Sequence, residues 1–238
     1  MTQNQNTHKI TPKNAYPLSF YQQDTFKISH KLLGSIIATK TNGKLTAGII
    51  TEVEPYFGSF DKASHAYPNK KTPRTAIQFE PGGFSYVFFV YGMYHQFCVV
   101  TNKKNIPDAI LIRAVLPISG LKTMAKRRYK KAKKYETLVH KIPDTLDLNN
   151  IKNKPKQILR NLTNGPGKLT IALNITKKLN EIPVNSIKLW IQPFLKLPKN
   201  QIAQAKRIGI DYAEEYAEKP WRFYIKQEPF VWWVSRVE

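Results

Sequence analysis

Alternation of apolar and polar positions is the clearest pattern in the first part of the chain, and it is typical of β-strands. Residues 35–40 (SIIATK) and 44–54 show it on either side of the pair Asn42-Gly43, which favours a type I′ turn. Before them, Asp24 is suited to cap the N-terminus of a short helix, and Gly34 is suited to follow its end. The sequence therefore predicts a helix followed by a β-hairpin.

The end of this hairpin carries two acidic residues and a tyrosine in alternate positions. Glu52, Glu54 and Tyr56 would share one face of a strand, because successive side chains of a strand point to opposite faces. Pro55 cannot donate a ladder hydrogen bond, which places Glu54 at a strand end or edge, facing a cleft. The alternative is that Glu54 is an ordinary solvated surface residue.

A second predicted hairpin is rich in aromatic residues. Residues 86–90 and 97–101 alternate as two strands, with Tyr86 and Phe88 on one face of the first strand. Residues 91–94 (YGMY) form the predicted tip. Large aromatic side chains at a turn suit contact with a flat partner, although a protein–protein patch is an alternative.

Residues 58–81 form a long predicted loop that contains His65 and Arg74, and such loops often carry function. Residues 109–115 (AILIRAV) form a predicted buried strand in which the guanidinium of Arg113 needs a partner. Backbone amides at the helix start predicted within residues 164–173, together with Lys168, suit a phosphate, although an ordinary turn is the alternative. Residues 1–16 are predicted to form a flexible tail, and residues 17–238 are predicted to form a single domain. The later predicted elements are strands at residues 187–192 and 221–226 and a helical segment at residues 201–208.

The net charge of the chain indicates the class of molecule that it binds. The 238 residues contain 38 Lys plus Arg against 16 Asp plus Glu, a net charge of +22, which indicates a polyanion. No apolar stretch is long enough to span a bilayer, so nucleic acid is favoured over a membrane. Cys98 is the only cysteine, and the five histidines show no metal-ligand spacing, so neither a disulfide nor a metal or other cofactor is expected. The basic residues 126–134 (KRRYKKAKK) are either a solvated helix end or a phosphate-contacting or disordered arm.

A basic chain with an aromatic hairpin and an aromatic-flanked carboxylate suggests chemistry on a nucleobase taken out of the DNA stack. Hydrolysis of an N-glycosidic bond needs a carboxylate that deprotonates water and lies near the developing positive charge, and Glu54 is the candidate. Tyr56 and Phe88 could enclose the base. The competing hypothesis is a non-enzymatic module that binds nucleic acid through basic and stacking contacts.

The chain also resembles a known family, the alkyladenine (3-methyladenine) DNA glycosylases of the mammalian type, in several blocks with matching order and spacing. The blocks are Leu32-Leu33-Gly34, Glu52-Val53-Glu54-Pro55-Tyr56, Ala63-Ser64-His65, Thr72-Pro73-Arg74, Tyr91-Gly92-Met93-Tyr94, Leu111-Ile112-Arg113-Ala114, Gly165-Pro166-Gly167-Lys168-Leu169 and Arg222-Phe223-Tyr224. The resemblance implies a mixed α/β (α+β) domain with a curved antiparallel sheet, flanking helices and a protruding β-hairpin. It also implies a monofunctional glycosylase that removes alkylated or deaminated purines from double-stranded DNA and leaves an abasic site.

The resemblance assigns roles to individual residues. Glu54 would be the general base, Arg113 would support the water site, and Tyr56 and His65 would hold the flipped base from opposite faces. Tyr91 would enter the minor groove as a wedge. The other predicted DNA contacts are Met93, Tyr94, Arg74 and Lys168.

Two positions depart from the family pattern. Phe88 stands where the family usually has a pocket tyrosine, and Cys98 where it usually has asparagine; both bear on base selection. Cys98 could also be simply a small buried hydrophobic residue. We expect a monomer that lies with the DNA, in the bacterial cytoplasm (nucleoid-associated) or in a eukaryotic nucleus.

Overall fold

The structure is a computed structural model that describes residues 9–90, 92–130, 139–140, 142–147 and 157–235. Within these residues, eight strands form one antiparallel sheet. The strands are β1 (Ile36–Thr41), β2 (Lys44–Phe57), β3 (Ser85–Val90), β4 (Tyr94–Thr101), β5 (Asp108–Ser119), β6 (Leu189–Gln192), β7 (Ile202–Ala205) and β8 (Arg222–Ile225). The main order is β3-β4-β5-β2-β1-β6, and β8 joins β2 to β7.

The long strand β2 organises the sheet. Strand β5 pairs along one of its edges, whereas the other edge is shared by β1, as far as Ile49, and by β8 at Glu52 and Val53. Register shifts between β2 and β5 near Glu52 mark bulges, which bend a strand and increase its twist. Beyond Val53, β2 therefore has a partner on one side only among the strands that the structure describes.

Helices cover one face of the sheet. They are α1 (Thr25–Leu32), α2 (Leu121–Tyr129), a single turn at Gln157–Arg160 and α3 (Pro166–Leu173). Short 3-10 helices lie at Pro12–Asn14, Leu18–Tyr21, Ala76–Phe79, Lys177–Leu179, Lys199–Gln201, Asp211–Tyr216 and Phe230–Trp233. The structure confirms the predicted mixed α/β fold built on an antiparallel sheet.

The alternation along β4 shows how the sheet divides its side chains. Phe97 and Val99 belong to the large core beneath the helices, whereas Cys98 and Val100 belong to a separate cluster on the opposite face. Burying the first set removes apolar surface from water and fixes the register of the strand. Of the second set, Cys98 lines an open cavity.

The first hairpin is confirmed, with left-handed φ values of 49° at Asn42 and 75° at Gly43. Asp24 caps α1 by accepting a hydrogen bond from the Lys27 amide at 2.8 Å, and Gly34 has a φ of 82°. The prediction that β2 ends near Glu54 is wrong, because the strand continues to Phe57. The edge position inferred from Pro55 is confirmed.

The predicted helix at residues 201–208 is also wrong. Residues Ile202–Ala205 instead form β7, which pairs with β8 from Ile225 to Arg222. Backbone hydrogen bonds to a distant strand override the local helix preference of this Ala- and Gln-containing segment.

The predicted tail is described only from residue 9 onward. Residues 9–16 lie beside β6, where the Tyr16 amide donates to the Ile191 carbonyl at 2.9 Å and the Thr11 amide to Gln192 Oε1 at 3.0 Å. These residues belong to the packed domain rather than to a mobile tail.

Candidate active site

Glu54 lies in β2 with its side chain fully buried. Its Oε1 accepts a hydrogen bond from the Ile208 amide at 3.0 Å. Its Oε2 accepts from the Tyr56 hydroxyl at 2.8 Å and from Arg113 Nη1 at 3.1 Å. The interpretation of Glu54 as a solvated surface residue is therefore wrong.

Arg113 is the partner shared by the two acids of β2. Its Nε lies 3.3 Å from Glu52 Oε1, and its Nη1 reaches Glu54. The buried Glu52 also accepts from Arg222 Nη1 at 3.2 Å, and from the Ser235 amide at 2.6 Å and hydroxyl at 2.8 Å. These contacts support a structural role for Glu52, whereas Glu54 stays close to the open cavity.

A cavity of about 340 Å³ opens beside this acid pair. Its wall includes the predicted site residues Tyr56, His65, Arg74, Phe88, Cys98 and Arg113. Glu54 itself is not part of the wall, but all three of its hydrogen-bond donors are. The carboxylate thus lies one side chain behind the cavity, at a depth where hydrogen bonds and charges are screened little by water.

Tyr56 and His65 line the same cavity, as the sequence predicts. Burial and the nearby Glu54 raise the pKa of Tyr56 well above its ordinary value, so its hydroxyl stays protonated and donates to the carboxylate. Desolvation by neighbouring groups and the Arg74 guanidinium lower the pKa of His65 to about 4. His65 is therefore neutral at pH 7.

The tautomer of His65 follows from its partners. Arg74 Nη2 lies 3.3 Å from His65 Nε2, and because a guanidinium only donates, Nε2 must be the acceptor. The proton then lies on Nδ1, which donates to the Tyr86 hydroxyl at 2.9 Å. Arg74 Nε donates to the same hydroxyl at 3.2 Å. Arg74, predicted as a DNA contact, is thus also part of the cavity wall.

The two positions that depart from the family pattern both face the cavity. The Phe88 ring stacks on Tyr86 with centroids 5.0 Å apart, and the Arg74 guanidinium lies 5.3 Å from its centroid. Cys98 is buried in β4, opposite Tyr86 on one neighbouring strand and Leu111 on the other. Burial raises the pKa of the Cys98 thiol, which stays protonated. The predicted strand register that brings Cys98 to the cavity is confirmed.

The predicted DNA contacts other than Arg74 lie at the hairpin and at the start of α3. Met93 and Tyr94 are 64% and 41% exposed, and Tyr91 lies outside the described residues. The Tyr94 ring covers Gly167, where a Cβ atom would lie 3.0 Å from the ring. Lys168 donates to Asn164 Oδ1 at 3.0 Å. The structure therefore brings the hairpin tip and the α3 start together into one surface.

Sequence reasoning missed Asp61, Tyr86, Arg207 and the Ile208 amide. Tyr86 was assigned to a strand face but not to the His65 contact, which depends on the fold of the loop. Arg207 is one of many basic residues, so its sequence context gives no sign that it is buried beside Tyr56. A backbone amide carries no sequence signal at all.

Within the residues that the structure describes, no group of three or more His, Cys, Asp or Glu residues could hold a metal ion. None of the helices described there is long and apolar enough to cross a membrane.

Comparison with known proteins shows the family to which the chain belongs. Residues 19–229 match the sequence model of the family described as Methylpurine-DNA glycosylase (MPG). A predicted 3-methyladenine DNA glycosylase of Alkaliphilus oremlandii is 42% identical over 212 residues, which cover 89% of this chain and 96% of the relative. A protein of the same name from Clostridium novyi is 43% identical, covering 89% of this chain and 95% of the relative. The chain belongs to the methylpurine-DNA glycosylase family.

Proposed function

We propose that this chain is a monofunctional 3-methyladenine DNA glycosylase that acts on double-stranded DNA. It would flip an alkylated or deaminated purine into the 340 Å³ cavity and hydrolyse the N-glycosidic bond. The single observation that carries the proposal is the position of Glu54, a buried carboxylate held by three donors directly behind an aromatic cavity. A non-enzymatic binding module would not need a buried carboxylate at this point.

The hydrogen bonds of Glu54 leave room for a water molecule. A carboxylate has about four acceptor positions, and the three bonds here leave one, on the Oε1 that the Ile208 amide contacts. A water molecule at this acceptor position would link Glu54 to the cavity, whose wall includes Ile208 and Gly209. Because Arg113 and Tyr56 hold the other oxygen, the free acceptor is fixed in orientation.

The proposed reaction consumes one water and needs no covalent enzyme intermediate. The water oxygen forms a bond to C1′ of the deoxyribose as the bond from C1′ to the purine nitrogen breaks. Glu54 accepts the water proton, and the electron pair of the broken bond leaves with the base. The negative carboxylate also stabilises the oxocarbenium-like transition state. The products are a free purine and an abasic site.

The cavity wall supports recognition of a flat base. Tyr56, Phe88 and His65 offer rings, and a neutral His65 can approach a purine without adding charge. The net charge of +22 favours phosphate contacts, and the exposed Met93 and Tyr94 lie where a bent duplex would meet the hairpin.

The test is a duplex with one hypoxanthine or ethenoadenine, followed by alkaline cleavage of abasic sites. We expect cleavage by the wild type. Binding of the lesion duplex without cleavage of any alkylated or deaminated purine would favour the binding module instead. Borohydride should trap no covalent complex, because no lysine acts as nucleophile in this scheme.

A further inference from the structure

Arg207 is a buried cation between the Glu54 strand and the wall of the cavity. Its Nη1 and Nη2 bind the two carboxylate oxygens of Asp61 at 2.6 and 2.8 Å, and both side chains are fully buried. The guanidinium lies 4.6 Å from the Tyr56 ring centroid and 5.1 Å from that of Trp221. Tyr56 lines the cavity and Arg207 does not, so Arg207 backs the ring from the protein side.

The same guanidinium completes the open edge of β2. Among the described residues, no strand pairs with this edge beyond Val53, and the Pro55 carbonyl accepts from Arg207 Nη1 at 3.0 Å. Pro55 has no amide hydrogen, so this carbonyl is the one backbone group that the residue has to satisfy. The bond thus fixes the backbone between Glu54 and Tyr56.

The residue after Arg207 contacts the carboxylate itself. The Ile208 amide donates to Glu54 Oε1 at 3.0 Å, the oxygen with the free acceptor position. Arg207 Nη2 further binds the Tyr216 carbonyl at 3.2 Å, which secures the segment on its other side. The Arg207 side chain therefore anchors the segment that delivers this amide.

Asp61 links Arg207 to the loop that carries His65. Besides Arg207, its carboxylate accepts from the Phe57 amide at 3.3 Å and from the Ala63 amide at 3.0 Å. These bonds shape the turn that leads from β2 to His65. One ion pair thus joins three parts of the cavity: the Glu54 strand, the His65 loop and the Ile208 segment.

We propose that Arg207, held by Asp61, is a positioning residue for base excision, which fixes the Tyr56 ring and the Ile208 amide relative to Glu54. The proposal rests on the proposed glycosylase function. Arg207 does not touch the reacting atoms and acts through Tyr56 and Glu54. A buried ion pair is by itself weak evidence for a stabilising role, because desolvation offsets the attraction, so the directed contacts carry the argument.

Arg207→Lys is the most direct test. Lysine keeps the positive charge opposite Asp61, but a single ammonium cannot reproduce the planar fork that reaches Asp61, Pro55 and Tyr216 together. The measurement is the single-turnover rate constant with saturating enzyme on a hypoxanthine duplex. Misplacement of a reacting group by about 1 Å costs on the order of 10²-fold, and we expect a decrease of roughly that size. The dissociation constant for the duplex should change far less.

A double-mutant cycle with Tyr56→Ala separates positioning from general destabilisation. If Arg207 acts through the tyrosine ring, Arg207→Lys should slow the Tyr56→Ala enzyme by a much smaller factor than it slows the wild type. Ile191→Val, in the core at β6, is the matched stability control. It should reduce the active fraction on warming without changing the rate constant of the folded enzyme.

Equal factors in both backgrounds, or a lower active fraction with an unchanged rate constant, would overturn the proposal. If Arg207→Lys does not fold, the neutral pair Asp61→Asn/Arg207→Gln replaces it in the same cycle, with the same criteria. A wild type that excises no lesion would refute the proposed function itself. A wild type that excises hypoxanthine, beside a fully active Arg207→Lys, would refute only the positioning role.

Discussion

The wall around Glu54 and the surface formed by the hairpin tip and the start of α3 are built in opposite ways. In the wall and directly behind it, the charges of Glu54, Arg113, Asp61 and Arg207 are buried and paired. At the surface, Met93 is 64% exposed and Tyr94 is 41% exposed.

The difference separates two tasks. Proton transfer and charge stabilisation need groups that are already in place, and strands with buried ion pairs supply that rigidity. Contact with DNA needs surface that can adapt to a bent duplex, and exposed apolar and basic side chains supply it. Variants in the wall should therefore change the rate of excision, whereas variants at the surface should change binding.

The largest expected effect is that of Glu54→Gln. The amide keeps the shape of the carboxylate but cannot accept a proton from water, so excision should fall by about 10² to 10⁴ or more. Binding to a lesion duplex should persist, as measured by gel shift. Glu181→Gln, at an exposed glutamate, is the control and should excise like the wild type. Normal turnover by purified Glu54→Gln would remove Glu54 from the mechanism.

Tyr91→Ala tests whether the hairpin tip contributes to specific DNA binding. Tyr91 precedes Gly92, which has a left-handed φ of 65°, and we predict that its ring fills the space of the flipped nucleotide. Loss of the ring should weaken specific binding more than non-specific binding, by roughly 1–3 kcal/mol for one stacking contact. The control is Ile187→Ala, at an exposed apolar residue of a different surface segment, which should bind normally. Equal losses on lesion and undamaged duplexes at fixed salt would make the tip a general DNA contact.

Lys168→Gln tests the same surface through the salt dependence of DNA binding. If Lys168 contacts one phosphate, its removal should lower the log–log salt slope of binding by roughly 0.9. The single-turnover rate at saturating enzyme should stay unchanged, because α3 lies outside the Glu54 wall. Lys188→Gln, at an exposed lysine, serves as the control. A slope that falls equally in both variants would show that neither site is a dedicated phosphate contact.

The fold could be predicted from the sequence where local signals agree with the final structure. The Asn42-Gly43 turn and the alternation along β4 specify hairpins by themselves. The segment Ile202–Ala205 could not be predicted, because its strand conformation depends on pairing with β8 about 20 residues later.

The site was predictable at the level of residue types and less so at the level of geometry. The alternation of Glu52 and Glu54 predicts both acids on one face of a strand, and in the structure both contact Arg113. The burial of Glu54 and its bond to the Ile208 amide depend on a segment more than 150 residues away, which no local pattern can reveal. Charge counting could not show that Arg207 is buried, because solvated and paired arginines look alike in sequence.

His65 gives a pH test of the wall. Its pKa is lowered to about 4 in the folded protein, against about 6.5 in an unfolded chain. Between these values the unfolded chain binds the extra proton, so the stability linked to neutral His65 is present above pH 6.5 and is lost as the pH falls toward 4. Replacement by asparagine removes this titration. The melting temperature of His65→Asn should therefore fall less than that of the wild type between pH 7 and pH 5. Parallel decreases would show that His65 titrates alike in both states.

The smallest expected effect concerns Cys98, which lies between Tyr86 and Leu111 at the cavity floor. The family usually has asparagine there, and its amide is bulkier and can crowd the 2-amino group of guanine. A buried thiol is smaller and a weak hydrogen-bonding group, so this cavity should exclude guanine-type bases less stringently. A small change in volume discriminates by only about 1–3 kcal/mol, so the substrate class should stay the same.

Cys98→Asn should therefore lower slow excision of undamaged guanine more than it lowers excision of hypoxanthine. Cys98→Ser is the matched control, because it replaces the sulfur with a smaller, more polar oxygen and does not introduce the bulk of an amide. If crowding is the cause, serine should behave like the wild type, whereas a hydrogen-bonding effect would make serine resemble asparagine. The comparison needs rates on both bases under single-turnover conditions. A wild type without guanine excision, together with an asparagine variant unchanged on every lesion, would mean that Cys98 lines the cavity without contacting the base.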